Sequence, residues 1–427
     1  MTESSQRLVR TIGRWSLTAL MVNSIVGVSV FKLPADLARN LKGWSPLSCV
    51  AAGAGILVIA GCIAEVSSRY EETGGLYLYA RDALGRFAGL LVAWMTWLTR
   101  IAAPAAAANL VWSYAAQFFP GLANPHGKFF VLLLLIGHLA LLNCYGVKMG
   151  RNLSNFFTAV KVGFLLAFIA AGFWALTTHP DVRVPMQLPP ASAKTWFETL
   201  LLLVYAYGGF EGALFVGGES TNPKRDTPIA LLSALVGVCL IYTAVQYVTI
   251  VTLPGAGSSE RPLADAAQRF LGSGGATAIA LAALLSGYGY LSANVLHAPR
   301  LTFALAQQGD FPKFFGLVHA RYRTPYVSIL LYSTLVLLFA TLGDFQWNAL
   351  LSAVSRLAVY FAMALAVPVL RRRNDAKAQF MLPAPYLFSA LGILFSVVLA
   401  TQIGRGELAV VGATSVVALA NWIAVKR

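Results

Sequence analysis

In YGGFEGALFVGGESTNPKRDTP, Tyr207 to Pro228, two adjacent glycines and a carboxylate stand in the middle of an apolar segment long enough to cross a membrane. Lipid offers no water to a stray amide or carbonyl, so a break at Gly208-Gly209 has to line a cavity enclosed by protein. A second such place is VGVSVFKLPADLA, Val26 to Ala38. There Gly27, followed by Val28 and Ser29, frees a few amides, and a half-helix restarting near Phe31 would turn its positive N-terminal end toward the cavity. That arrangement suits a carboxylate. The plain alternative is a glycine kink with Pro34 bending the helix; the presence of two breaks favours binding.

Charged side chains inside apolar segments are the other candidates, because an ionisable group at membrane depth is costly and usually functional. Lys161 lies in TAVKVGF, far from either end of its segment. Such a lysine either gives up and regains a proton during a cycle or stays charged as a strut against the Gly27 region. Glu211 follows the second break and has three readings: a gate, an ion or hydrogen-bond partner, or a neutral acid that donates a hydrogen bond. Arg100, in WLTRIAAP, offers a bidentate fork for an acidic group or a structural anchor. Arg356 in VSRLAVYF, His138 and His297 carry no assigned role, and Lys32 is placed to snorkel outward. The aromatic residues Tyr205, Tyr207, Phe210 and Tyr288 serve equally as core or as cavity wall; only Tyr205 and Tyr207 are placed by the break.

The elements that must hold these groups are membrane helices. Of 427 residues, 58% are apolar and 11% charged, with a mean hydropathy of +0.68, outside the range of ordinary soluble domains. At roughly 20 residues per crossing, the apolar segments give twelve spans: 16–40, 45–68, 85–118, 128–147, 154–177, 196–218, 228–253, 275–306, 326–342, 347–370, 384–403 and 407–425. The breaks fall in spans one and six. That spacing is expected of two five-helix repeats related by inverted topology, with a site at the midplane between them. The chain then divides into a cytoplasmic segment (1–14), a transport core (15–370), and a cytoplasmic loop with helices eleven and twelve (371–427).

With the N-terminus inside, cytoplasmic segments hold 20 Lys and Arg against 8 outside, which places both termini in the cytoplasm. The net charge of +15 is mostly this topology signal, together with contact to anionic lipid, and not a nucleic-acid footprint. No secretory signal is expected in residues 1–14, which are polar and basic. Cys49, Cys62, Cys144 and Cys239 are scattered without metal-ligand spacing and read as packing residues. No cofactor or metal is expected, and nothing in the sequence sets the oligomeric state.

Several ordered motifs together resemble the amino acid/polyamine/organocation superfamily, whose members share the LeuT-like fold. They are the first break followed by F-x-L-P (Phe31 to Pro34), AEVSSRYEETGGLYLYARDALG (Ala64 to Gly85), the G-F-E of Gly209 to Glu211, E-x-x-N-P-K-R-D-x-P (Glu219 to Pro228), and APRLTFALAQQGDFPKFFGLVHARYRTP (Ala298 to Pro325). The resemblance spans essentially the whole chain. It implies alternating access for an amino acid or related amine in the cell (inner) membrane, with protons or a counter-transported amino acid as coupling partner. By motif position, the substrate carboxylate would bind amides of Val28 and Ser29, and the ammonium would meet carbonyls near Ile25, Tyr205 and Gly208. Val28 and Ser29 depart from the usual G-S-G or G-x-G, and Ser29 adds a side chain that would favour small substrates. Lys161 would occupy the place of a sodium ion in sodium-coupled relatives, and Arg100 would lie at the depth of the substrate side chain. Glu65, Arg69, Glu219, Lys224, Arg225 and Asp226 would form a closing network at the cytoplasmic face.

A membrane enzyme would need a convergent nucleophile, base or metal set, and no H-E-x-x-H or G-x-S-x-G is present. A transporter-derived amino acid sensor is the different-class alternative, weakened by the lack of a signalling domain within these residues. The basic asymmetry generates a direct test of topology. A reporter fused after Arg427 should report from the cytoplasm, and a cysteine placed at 255–259 should react with an external reagent; external labelling of the C-terminus would overturn the span assignment.

Overall fold

The computed structural model describes residues 13–70, 75–146, 151–214, 220–307, 309–373 and 378–425, and of 151–159 and 213 the backbone alone. It is helical throughout, with no strand element among the described residues. Among the described residues, eight helical stretches are long and apolar enough to cross a membrane, and Tyr326–Leu342 and Pro385–Ala400 are shorter apolar helices.

Both expected breaks divide their helices. The segment read as the first span holds α1 (Arg14–Ile25) and α2 (Leu33–Leu41), separated by residues 26–28 and a single 3-10 turn at Ser29–Phe31. The α-helix therefore restarts at Leu33 and not at Phe31. Pro34 explains the position: it lacks an N–H and is suited to the first turn of a helix. The segment read as the sixth span holds α8 (Ala193–Tyr207) and α9 (Phe210–Leu214), separated by Gly208-Gly209. Ser192 caps α8 by accepting the Thr195 amide at 3.1 Å. Residues 215–219, including Glu219 of the expected closing network, lie outside the described residues.

Around the broken helices stand α3 (Ser45–Ser67), α5 (Arg86–Phe118), α6 (Pro125–Cys144), α7 (Arg151–Thr178), α10 (Pro223–Thr252), α11 (Pro262–Gln307), α12 (Tyr326–Leu342) and α13 (Phe345–Arg373). The short α4 (Gly75–Leu84) fills part of what the sequence reads as a connection, and α14 (Pro385–Ala400) and α15 (Arg405–Ala424) complete the chain. Helices α5 and α13 form the densest pairing in the bundle. The run Ala102–Ala108, interrupted only by Pro104, keeps α5 narrow enough for neighbours to approach closely, as small residues do in membrane bundles. By contrast only 17% of the apolar window of α15 is buried, so that helix is peripheral.

The connection 254–274 contains the first turns of α11, which bends at Gly272, where φ is +71°. The connection 178–192 folds across the α2–α3 junction. There the Gly43 amide donates to Gln187 O (3.0 Å), and the Trp44 indole donates to Pro189 O (3.1 Å).

At the opposite end, α3 and α13 are clamped by charge. Glu65, fully buried, accepts from Arg371 Nε (2.6 Å) and Nη2 (2.8 Å) and from the Leu382 amide (2.9 Å). Removing one member of a buried pair strands the other. Glu65→Ala should therefore cost on the order of 3 kcal/mol and lower the melting temperature in detergent, while an unchanged melting curve would show that the clamp does not hold the helices together.

Candidate functional site

A helix ends with four carbonyls that have no partner inside it. In α1 these belong to Val22, Asn23, Ser24 and Ile25, and each is met differently. Val22 O accepts the Val26 amide at 2.8 Å. Asn23 O accepts from Lys161 Nζ at 2.5 Å, across from α7. Ile25 O accepts from the Tyr242 hydroxyl of α10 at 3.0 Å. Ser24 O faces Gly209, where a Cβ would overlap it and would come within 2.9 Å of the Ser24 carbonyl carbon. Gly209 also has φ +117°, a region closed to ordinary L-residues. The two breaks are therefore in direct contact, backbone to backbone.

Tyr242 joins them a second time, because its hydroxyl also lies 3.1 Å from Ala206 O at the end of α8. In the first break, the amides of Val28 and Ser29 have no backbone acceptor among the described residues, while the Gly27 amide and the Ser29 hydroxyl lie against the Tyr242 hydroxyl. Val28 and Ser29 are buried and Gly27 is partly open. Lys161 is buried and reaches Asn23 O, one turn before the break, instead of the carbonyls of the break itself. A cation at that position is also favoured by the negative end of the α1 dipole.

The second break carries a buried ionic cluster. Glu211 Oε2 accepts the Gly209 amide at 2.6 Å, which fixes the turn. Its Oε1 accepts from Arg356 Nε at 3.1 Å and from the Tyr360 hydroxyl at 2.5 Å. Arg356 Nη1 donates in turn to Ser352 Oγ at 2.8 Å. The Arg356 guanidinium also packs against Gly208, so that any side chain at 208 would meet it. Of the three readings of Glu211, the geometry is that of an ionised acceptor with three donors.

Arg100 stands on α5 with Nη2 3.7 Å from where a Cβ on Gly212 would sit, and its own carbonyl accepts from Tyr332 OH at 2.8 Å. It is electrostatically close to Glu211, Arg356, Tyr290 and Tyr332. Tyr205 packs edge-on against Phe345 at 5.9 Å. Tyr207 is turned away from the breaks: it is fully buried and donates to Cys49 O of α3 at 2.7 Å. The structure thus brings Ile25, Gly27, Val28, Ser29, Gly208, Lys161 and Glu211 together around the two breaks, with Arg100 beside them and the Tyr207 side chain outside. His138 sits apart, stacked on Tyr288.

A narrow cleft with room for about one water is lined by Leu76 and Tyr77 of α4, Ala93 and Thr96 of α5, Leu301 of α11 and Glu211. At its mouth Tyr77 donates to Asp310, and burial together with that carboxylate pushes the phenol up to about 12, so it remains a donor at neutral pH. At the opposite end of the bundle, Lys32 pairs with Glu260, and Arg39 bonds Asp36 (3.0 Å) and Gly257 O (3.0 Å). These contacts tie α2 to the loop before α11.

The sequence profile of the amino acid permease family matches residues 12–422, which include both breaks and every group named above. The chain belongs to the amino acid permease family. It is a transporter of the amino acid/polyamine/organocation superfamily and not an enzyme. It is similar to the methylthioribose transporter of Bacillus subtilis, with 27% identity over 89% of this chain and 85% of that protein. It is also similar to the serine/threonine exchanger SteT of B. subtilis (29%, over 86% and 84%) and to the branched-chain amino acid permease BcaP of the same organism (25%, over 94% and 90%).

Two groups of this permease escape a reading by segments. Tyr242 sits in LIYTAVQY, mid-span, and a tyrosine at that depth needs a partner for its hydroxyl; that need was the available signal. Ser352, Arg356 and Tyr360 repeat every four residues on one face of α13, which marks them as a single polar stripe. The contact between the breaks can be tested at Gly209. Gly209→Ala should destabilise the permease by on the order of 2 kcal/mol or more, whereas Gly212→Ala, with ordinary space for its Cβ, should be tolerated. Equal melting temperatures for the two variants would contradict the contact.

Proposed function

We propose that this permease is a secondary active amino acid transporter working by alternating access, with twelve spans, two inverted five-helix repeats and both termini in the cytoplasm of the cell membrane. Residues 1–14 are then the cytoplasmic N-terminal segment, 15–370 the transport core, and 371–427 a loop with two accessory helices. The observation that carries this reading is the contact of the two breaks. It sets the end of α1 against Gly209, beside a segment in which the amides of Val28 and Ser29 have no backbone acceptor among the described residues. Amides of that kind suit a carboxylate, and nearby helix-end carbonyls suit an ammonium. The names of the relatives cover serine and threonine, branched-chain amino acids and methylthioribose, so family membership does not fix the side chain.

Lys161 supplies the coupling. An ammonium in an apolar bundle is stable only while paired, and its partner is a carbonyl at the end of the helix that the substrate site interrupts. Loss of the proton releases α1 from α7, and substrate occupancy acts on the same helix end, so the two equilibria are linked. The second reading is an obligate exchanger in which Lys161 stays charged and a second amino acid drives turnover; the short Lys161–Asn23 contact favours it to the extent that the pair never opens.

The deciding experiment uses purified protein in liposomes, screened with labelled amino acids with and without a pH gradient and with and without internal amino acid. Uphill uptake driven by the gradient alone is expected; uptake only against internal amino acid selects the exchanger, and binding without movement selects a sensor. Lys161→Gln keeps hydrogen-bond donors but cannot titrate, and should abolish gradient-driven accumulation while leaving substrate binding measurable. Wild-type accumulation by this variant would leave Lys161 as a strut.

A further inference from the structure

Between Phe311 and Gly343 the chain carries Lys313, Arg321 and Arg323 and no Asp or Glu. All three cations are exposed, and no ion pair among the described residues includes any of them. The segment that holds them has a defined shape. A 3-10 turn at Lys313–Gly316 follows α11, and a tight turn over 319–324 leads into α12. His319 anchors that second turn: its amide donates to Thr324 O (2.8 Å), its carbonyl accepts the Arg323 amide (2.9 Å), and its Nδ1 accepts the amides of Arg321 (3.2 Å) and Tyr322 (3.3 Å). Arg323 is thereby kept at φ +56°, a left-handed conformation that costs a residue other than glycine free energy.

The turn sits where two outer helices reach the end of the bundle. The Thr324 hydroxyl donates to Cys144 O, at the end of α6, at 2.7 Å, and Tyr322 packs edge-on against the exposed Tyr145 at 5.1 Å. Only 28% of the apolar window of α6 is buried, so its outer face is open to lipid. Leu141 and Leu142 near the end of α6, and Leu330 near the start of α12, are exposed on either side of this junction. Phe314, Leu317 and Val318, between the two turns, are exposed as well. Apolar side chains giving way to tyrosine and then to arginine are what the boundary between hydrocarbon and headgroups requires, since tyrosine bridges the two and an arginine stem follows apolar surface while its head reaches outward.

We propose that this rim binds the phosphate headgroup of an anionic phospholipid, with Arg321 and Arg323 on the phosphate and the exposed apolar residues of the same segment seated in the interface. The charge argues for that occupant: a cluster of cations without a carboxylate, set beside membrane helices, is complemented by a lipid of net negative charge, and a guanidinium fork suits phosphate oxygens. A zwitterionic lipid carries the same phosphate but cancels it with its own ammonium. The site is separate from the two helix breaks and goes beyond the transport reading, because it holds whatever solute is carried. It also bears on the bundle. Phe315 of the same segment is buried against Trp97 of α5 at 5.9 Å, and its carbonyl accepts the Ser328 hydroxyl of α12 at 2.9 Å, so a lipid on the rim braces the connection between α11 and α12 against α5.

The test titrates the full-length protein in detergent with phosphatidylglycerol and, separately, with phosphatidylcholine of the same chain length, reading retained lipid by native mass spectrometry and the melting temperature beside it. Phosphatidylglycerol is expected to be retained preferentially and to raise the melting temperature, as a ligand of the folded state does. Arg321→Gln combined with Arg323→Gly should weaken its retention by about tenfold or more; glycine adopts the conformation of Arg323 without strain, so the turn survives. Arg372→Gln, which removes another exposed arginine at the end of α13, should leave retention unchanged. Glycerol phosphate, which has the anion and no acyl chains, should compete only weakly. Equal retention of the two lipids, full retention by the double variant, or an equal loss in Arg372→Gln overturns the proposal. Strong competition by glycerol phosphate assigns the rim to a soluble anion and overturns it too. If the double variant does not fold, Arg323→Gly alone decides. No readout here involves solute movement, so failure of the lipid site leaves the transport reading intact.

Discussion

A backbone carbonyl released from a helix inside a membrane must find a donor from somewhere else in the protein, and this constraint organises the centre of the molecule. The last carbonyls of α1 are met by a lysine from α7, a tyrosine from α10 and close approach of a glycine between α8 and α9. Each of these is a long-range contact, so ending α1 early fixes the position of three other elements. Tyr242 stands between the two helix ends, its single hydroxyl proton within reach of either Ile25 O or Ala206 O. The open conformation of Gly27 to Ser29 is therefore held by groups around it and does not depend on the segment's own preferences.

The ionic cluster at the second break follows from the same economy of partners. A charged carboxylate or guanidinium taken into a low-dielectric bundle loses several kcal/mol of hydration, recovered only with good geometry and additional hydrogen bonds. Glu211 has three donors, one of them the amide of the break, and Arg356 has a carboxylate and a hydroxyl. The cluster thereby locks the Gly208-Gly209 turn from the side opposite α1. At the two ends of the bundle, Glu65 with Arg371 and Lys32 with Glu260 tie helices to one another where water is nearer.

The sequence made the breaks legible because glycine pairs and a midspan lysine are anomalies in an apolar helix. It made the family legible because ordered motifs span the chain. It was less informative about which residue answers which. Tyr207 sits at the break in sequence, yet its ring is swung to α3 by the hydrogen bond to Cys49 O, and nothing local signals that direction. Lys161 is expected at the carbonyls around Val26 and Gly27, whereas its ammonium donates to Asn23 O, one turn earlier. Arg356 carries no assigned role in the sequence, and its partner is Glu211, 145 residues away. Helix boundaries followed the same pattern: Pro34 moved the restart of α2, and α4 appeared where a run of mixed polarity had read as a connection.

The central claim is that the two breaks form one binding element, coupled through Gly209 and Tyr242. Amide hydrogen exchange at Gly27–Ser29 and at Gly208–Gly212, measured with and without a transported amino acid in the same liposome preparation, tests it most directly. Protection that rises at both segments together, with the same dependence on amino acid concentration, is the result expected of a single element. Protection at one segment while the other exchanges unchanged would contradict the account.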